Sequence, residues 1–171
     1  MKHYLVLTPL ILLSFTAFGN ENTLEKDEAL LIIGIHSSNI TAIHFKEVDT
    51  GESFSVSRDI SRAREPKPKR VKSGNYYLHS FSSFKNLDPL FSSFPSEPSD
   101  NSLLFKIDPE SVNYLGEWVF DDASNAIQTN YSMNIEYVAK WVHTYAKKNQ
   151  GLEDLPLKVS FSNGTTKEFS W

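Results

Sequence analysis

The sequence predicts a mainly β fold, an antiparallel β-sandwich that carries one amphipathic α-helix near its C-terminus. Three observations predict it. Short segments of alternating apolar and polar residues recur along the chain. Gly, Pro, Asn and Asp separate these segments, as they do at turns. One late segment changes to the spacing that is typical of a helix.

The first strands lie near the start of the predicted domain. Residues 29–35 form a short apolar run rich in β-branched residues, which favours a strand buried on both faces. Residues 41–47 and 53–57 alternate on either side of a turn and predict a hairpin. Residues 58–72 break the alternation and contain two prolines, so they predict a loop.

Three more segments follow in the middle of the chain. Residues 75–81 and 103–107 alternate and predict two strands, joined by a stretch rich in Ser, Pro and Phe. Residues 113–120 predict another strand, in which Tyr114, Gly116, Trp118 and Phe120 are expected on one face. A glycine inside a strand indicates a bulge or a close backbone approach, and Gly116 is placed for either.

The C-terminal part contains the helix and a final hairpin. Apolar residues recur at helical spacing over about 134–148, where Asn134 is placed to cap the start and Gly151 to end the helix. A second, aromatic stripe lies beside the apolar one. Two alternating segments then flank Asn163-Gly164, which is a strong hairpin signal.

The N-terminus has the pattern of a secretory signal peptide. An uncharged run over residues 4–16 follows a short polar start, and Ala17 and Gly19 are spaced as signal peptidase requires. We expect cleavage after Gly19, leaving residues 20–171 as a single domain in the periplasm, or in the medium if the protein is secreted further. The run is too short and interrupted to span a bilayer, which takes roughly 20 apolar residues, so no transmembrane span is expected after processing.

Two segments together resemble a family. Residues 71–78 (Val-Lys-Ser-Gly-Asn-Tyr-Tyr-Leu) and residues 105–118 are similar to the strand entries of small exported bacterial β-sandwich proteins, some grouped as DUF2846-like domains of unknown function. Ser73 stands where that pattern usually has Pro, and Glu110 where it usually has a second Gly. The resemblance implies a transthyretin-like or carboxypeptidase-regulatory-like fold, within the broader class of transthyretin-like and immunoglobulin-like sandwiches. It also implies an exported location, and it implies no active site.

Composition excludes several kinds of site. The chain has 171 residues, no cysteine and a formal net charge of −4. Without cysteine it forms no disulfide, thiolate zinc site or iron–sulfur cluster. The acidic balance argues against a nucleic-acid partner, because nucleic-acid-binding domains are usually basic. No cofactor is predicted.

Neither a metal site nor a catalytic site is predicted. His36, His44, His79 and His143 follow the predicted leader, but no His-Glu-x-x-His motif occurs. His36 and His44 would lie ~13 Å apart or more on neighbouring strands, too far for a shared zinc ion. No Gly-x-Ser-x-Gly motif occurs either. A triad is a spatial arrangement, so the sequence leaves that possibility open.

The most unusual feature is the basic segment, residues 58–72. It contains seven Lys and Arg residues against Asp59 and Glu65, on an acidic chain. Guanidinium groups bind phosphates and carboxylates in bidentate fashion, so this segment predicts a site for an anionic envelope surface or an envelope protein. The alternative is a solvated loop whose charge serves solubility. The predicted site residues are Arg62, Arg64, Lys67, Lys69 and Arg70.

The stretch after residue 80 is too apolar for a purely solvated loop. Either it covers one end of the sandwich or it offers an aromatic surface to a protein partner. Its apolar members are Phe81, Phe84, Leu87, Leu90, Phe91 and Phe94.

These observations together favour a non-enzymatic binding or scaffolding module of the cell envelope. The alternatives are a small-ligand binder or hydrolase whose site assembles only in three dimensions, and a periplasmic immunity-type protein.

Overall fold

A computed structural model describes residues 23–36, 40–57, 68–83, 97–99, 102–121, 126–130, 135–148, 152 and 154–169. These ranges contain ten strands and one helix. In chain order they are β1 (Glu28–His36), β2 (Ile40–Glu47), β3 (Ser53–Ser57), β4 (Lys69–Lys72), β5 (Gly74–Ser83), β6 (Leu104–Ile107), β7 (Val112–Asp121), β8 (Ala126–Asn130), α1 (Ile135–Lys148), β9 (Leu157–Ser160) and β10 (Thr166–Phe169). The predicted mainly β fold with two sheets and one helix is confirmed.

The strands form two sheets of different character. Sheet A has the order β10-β9-β7-β1-β4, with β8 also paired to β7, and sheet B has the order β3-β2-β5-β6. Sheet B is antiparallel throughout its described pairs. In sheet A, β7 runs parallel to both β1 and β9. Sheet A is therefore mixed rather than wholly antiparallel, because long connections through sheet B and through α1 bring the chain back in the same direction.

Two hydrophobic cores lie on the two faces of sheet A. One core lies between the sheets and includes Ala29, Leu31 and Trp118 from sheet A together with Phe45 and Phe105 from sheet B. The other lies between sheet A and α1. The molecule thus has three layers, with α1 on one side of sheet A and sheet B on the other.

Strand β1 shows why its sequence is apolar without interruption. Ala29 and Leu31 face the core between the sheets, while Leu30 and Ile32 face α1. Successive strand residues point to opposite faces, so a strand covered on both sides needs apolar residues at every position. The predicted burial of β1 on both faces is confirmed.

The helix and both predicted hairpins are confirmed. In α1, Val138, Ala139 and Val142 are buried against sheet A, whereas Tyr137 is 47% exposed. Trp141 and Tyr145 stack with ring centroids 4.8 Å apart and pack at the margin of that core. Strand β2 pairs with β3, and β9 pairs with β10 around the predicted turn.

A bulge in β7 separates side chains that were expected on one face. Ile32 pairs with Tyr114 and Gly34 pairs with Glu117, so β7 contains one residue more than β1 over this interval. Gly116, with φ of 82°, provides the left-handed backbone conformation of the bulge. As a result Tyr114 faces α1 while Trp118 faces sheet B, and the prediction that they share a face is wrong.

Two strands were not predicted. Strand β4 lies in the segment interpreted as a loop, and β8 follows the predicted strand 113–120. In β4 only Val71 is apolar, so no alternation of several residues marks the strand. It forms because Val71 is buried against the core between the sheets and pairs with Ala29.

Some expectations fall outside the described residues. The predicted leader lies there, as do all apolar members of the Phe-rich stretch except Phe81. Phe81 packs against the core between the sheets. Within the described ranges, no helix is both long and apolar enough to span a membrane.

Candidate functional site

The predicted anion-binding residues divide into two groups. Arg62, Arg64 and Lys67 lie outside the described residues. Lys69 and Arg70 lie on β4, where the side chains of consecutive residues point to opposite faces. The structure therefore places two of the five predicted site residues on a strand at the edge of sheet A.

Both of these residues bind other parts of the protein. Lys69 Nζ donates a hydrogen bond of 2.7 Å to the backbone oxygen of Ser55. An Nη atom of Arg70 donates to the backbone oxygen of Thr23 at 3.0 Å and lies 3.6 Å from a carboxylate oxygen of Glu28. Lys69 thus links β4, at the edge of sheet A, to β3, at the edge of sheet B. In the sequence, the basic segment begins directly after β3 and ends with β4.

A second group of polar side chains, the Glu117 cluster, comprises Glu117, His36 and Tyr114. His36 Nε2 lies 2.5 Å from one carboxylate oxygen of Glu117, and the Tyr114 hydroxyl donates to the other at 2.7 Å. The side chain of Glu117 is only 8% exposed, whereas that of His36 is 47% exposed. A buried carboxylate therefore orients an imidazole that solvent can reach.

The Glu117 cluster depends on the local backbone. The bulge in β7 directs Glu117 over β1, where Gly34 leaves room for it: a Cβ at position 34 would lie 1.6 Å from a carboxylate oxygen. Burial, together with the hydrogen bond to Glu117 and its charge, raises the pKa of Tyr114 far above its ordinary value. The phenol therefore stays protonated and donates to the carboxylate at any physiological pH.

A third group, the His44 cluster, lies on the outer face of sheet B and comprises His44, Ser55, Ser82 and His79. His44 is on the central strand β2, between β3 and β5. Its Nδ1 lies 2.7 Å from Ser55 Oγ, and its Nε2 lies 2.7 Å from Ser82 Oγ. One imidazole thus joins a serine from each neighbouring strand.

A bulge shapes the His44 cluster as well. His44 pairs with Ser80 and Phe45 with Leu78, so His79 is the extra residue in β5 opposite His44. Its Nδ1 is buried, with no hydrogen-bond partner among the described residues. Burial, reinforced by the nearby His79, lowers the pKa of His44 below its ordinary value of 6.5. His44 is accordingly neutral at pH 7.

A fourth polar group is structural. Asp108, directly after β6, accepts hydrogen bonds from Lys158 Nζ at 2.9 Å and Thr166 Oγ1 at 3.0 Å and forms an ion pair with Lys106 at 3.0 Å. These partners lie on three different strands, β6, β9 and β10. Because its carboxylate is bound by the protein itself, we assign Asp108 to the junction of the two sheets rather than to a ligand site.

The four histidines that the structure describes are not arranged as metal ligands. His36 is on sheet A and His44 on sheet B, each bound to its own partners. His143 lies exposed on α1. In the described part of the chain, no group of three or more His, Asp or Glu residues could hold a metal ion.

Sequence reasoning missed both the Glu117 cluster and the His44 cluster. For the Glu117 cluster, the signal in the sequence was Gly116. The bulge predicted there is confirmed, and it changes the direction of the Glu117 side chain. For the His44 cluster, the signal was the polar positions of the predicted hairpin, which place His44 of β2 and Ser55 of β3 on its outer face. No protein-family model, curated protein or solved structure matches this chain.

Proposed function

We propose that this protein is exported to the cell envelope and binds a phosphate-bearing anionic surface there through its basic segment. The proposed site comprises Arg62, Arg64, Lys67, Lys69 and Arg70. The observation that carries the proposal is the position of β4 at the edge of sheet A, because it fixes the C-terminal end of the basic segment at a sheet edge.

Local charge supports the proposal. Residues 62–70 contain five Lys and Arg residues and a single acidic residue, Glu65, on a chain of net charge −4. Electrostatic interactions are screened over roughly 10 Å at 0.1 M salt. A surface in contact with the basic segment therefore interacts with the positive charge of that segment rather than with the net charge of the protein. Guanidinium and ammonium groups bind phosphate oxygens by charge-assisted hydrogen bonds.

The contacts of Lys69 and Arg70 on β4 divide the five site residues between two roles. Lys69 binds the backbone oxygen of Ser55 on β3, and Arg70 binds the backbone oxygen of Thr23, which precedes β1, so both side chains are bound by the protein itself. We therefore assign Lys69 and Arg70 to holding the segment at this edge, and Arg62, Arg64 and Lys67 to the phosphate contacts.

The test is retention of the purified protein on vesicles. We expect vesicles with anionic lipid or lipopolysaccharide to retain the protein at low salt and release it at high salt, whereas neutral phosphatidylcholine vesicles retain none. The triple variant Arg62→Gln, Arg64→Gln, Lys67→Gln should lower the partition coefficient about a hundredfold, since each basic residue near an anionic surface contributes about 1 kcal/mol.

A matched variant controls for net charge. Lys26, Lys140 and Lys167 have exposed side chains outside the basic segment, and changing all three to Gln removes the same charge. This control should bind as the wild type does. Equal retention of the basic-segment variant and the wild type would overturn the proposal, as would equal loss in both triple variants. Comparing anionic phospholipid with lipopolysaccharide then distinguishes the source of the phosphate.

A further inference from the structure

We propose that Ser82 is a nucleophile activated by His44, and that the His44 cluster transfers acyl groups from carboxylic esters. This inference goes beyond the proposed binding function and does not depend on it. It rests on the juxtaposition of an exposed serine, a partly buried imidazole and a second serine across three adjacent strands of sheet B.

The geometry matches that of a serine nucleophile and its base. Ser82 Oγ lies 2.7 Å from His44 Nε2, within the reach over which a general base accepts a hydroxyl proton. Ser55 Oγ lies 2.7 Å from the other ring nitrogen and fixes the orientation of the ring. This is the relation of nucleophile, base and orienting group that nucleophilic catalysis requires.

The protonation states agree with these roles. When His44 Nδ1–H donates to Ser55 Oγ, Nε2 carries the lone pair and accepts the Ser82 hydroxyl proton. The lowered pKa of His44 keeps the imidazole neutral, and therefore able to accept that proton, at pH 7. Ser82 is exposed at the end of β5, so a substrate carbonyl can approach its oxygen.

The reaction is balanced with an ester and water as the only reactants. Ser82 Oγ forms a bond to the carbonyl carbon while its proton passes to His44 Nε2. The tetrahedral intermediate collapses as the bond to the alkoxy group breaks, and that group leaves with the proton from Nε2. Water then attacks the carbonyl carbon of the acyl-serine while its proton passes to His44 Nε2. The second tetrahedral intermediate collapses as the bond to Ser82 Oγ breaks, Nε2 returns the proton to Ser82 Oγ, and the carboxylic acid leaves.

Covalent labelling of the purified protein tests the proposal. We expect a fluorophosphonate probe to modify Ser82, identified by peptide mass spectrometry, and p-nitrophenyl acetate to be hydrolysed. Ser82→Ala should abolish labelling. His44→Gln should lower the labelling rate by about a hundredfold or more, the usual contribution of a general base. Ser55→Ala, which removes only the orienting group, should lower it less.

Ser57→Ala is the matched control, because Ser57 is an exposed serine at the end of β3. It should be labelled at Ser82 at the wild-type rate. An unlabelled wild-type protein would overturn the inference. So would labelling of Ser82 that continues at the full rate in His44→Gln, because the serine would then react without a base. Circular dichroism of each variant shows whether the sheet remains folded.

Discussion

Gly34 and Glu117 are coupled residues on adjacent strands. The carboxylate of Glu117 occupies the space where a side chain at position 34 would begin. It is held there by Tyr114 and His36. The glycine is therefore required for close approach, and a larger residue at position 34 must displace a buried and hydrogen-bonded carboxylate.

We predict that Gly34→Ala lowers the free energy of unfolding by about 1–3 kcal/mol, the usual cost of overpacking. In a Glu117→Ala background, Gly34→Ala should lower the free energy of unfolding by a smaller amount, because the added methyl group then contacts no carboxylate. Urea unfolding followed by tryptophan fluorescence measures all four proteins of this double-mutant cycle. If the two substitutions lowered the free energy of unfolding by strictly additive amounts, the coupling between Gly34 and Glu117 would be contradicted.

Glu110 shows the opposite situation, a non-glycine residue where glycine is favoured. Its φ is 47°, in the left-handed region, within the turn between β6 and β7. The turn keeps this conformation with a glutamate, and the backbone N–H of Glu110 donates to the backbone oxygen of Glu28 at 2.8 Å.

Among the elements, the ends of β6, β9 and β10 are joined by one carboxylate. Burial alone would raise the pKa of Asp108, but hydrogen bonds from Lys158, Lys106 and Thr166 outweigh it and hold the pKa at about 2. Since β6 belongs to sheet B and the other two strands to sheet A, Asp108 connects the sheets at this end of the molecule.

This connection predicts a specific acid sensitivity. The pKa of Asp108 is lower in the folded state than its ordinary value of 3.8, so its stabilisation is complete above pH ~4 and is lost as the pH falls toward 2. The amount is about 2 kcal/mol. We expect Asp108→Asn to be less stable than the wild type at pH 7. Between about pH 4 and about pH 2 the variant should lose less of its free energy of unfolding than the wild type does.

Unfolding in urea at a series of pH values measures this difference. Asp154→Asn serves as the control, because it makes the same chemical change at an exposed aspartate away from the junction of the two sheets. If Asp108→Asn and the wild type lost the same stability on acidification, Asp108 would not be a source of the acid sensitivity.

The predicted export of the protein determines where it acts. We expect the protein recovered from a periplasmic extract to begin at Asn20, because cleavage is predicted after Gly19. Intact-mass measurement identifies the first residue. Replacing Ala17 and Gly19 with bulky residues should leave the leader attached, since signal peptidase requires small side chains there. A wild-type protein that retains Met1 would contradict the prediction.

Local sequence was sufficient for most elements and insufficient for a few. Residues 29–35, the hairpin around Asn163-Gly164 and α1 were predicted because alternation, helical spacing and turn residues act over a few neighbouring positions. Strand β4 was missed because a single buried residue, Val71, holds it against its neighbour. The faces of Tyr114 and Trp118 were wrong because one extra residue in β7 reverses the alternation.

By itself, then, the sequence determined the mainly β class, the helix, most strand positions and the presence of the basic segment. Only the tertiary structure decided which polar side chains meet. His44 lies 11 and 38 positions from its two serine partners, and His36 lies 81 positions from Glu117. Such contacts depend on strand order and on bulges, which shift the register by one residue. Periodicity reports the face of a strand, whereas the identity of its neighbour depends on how the whole chain packs.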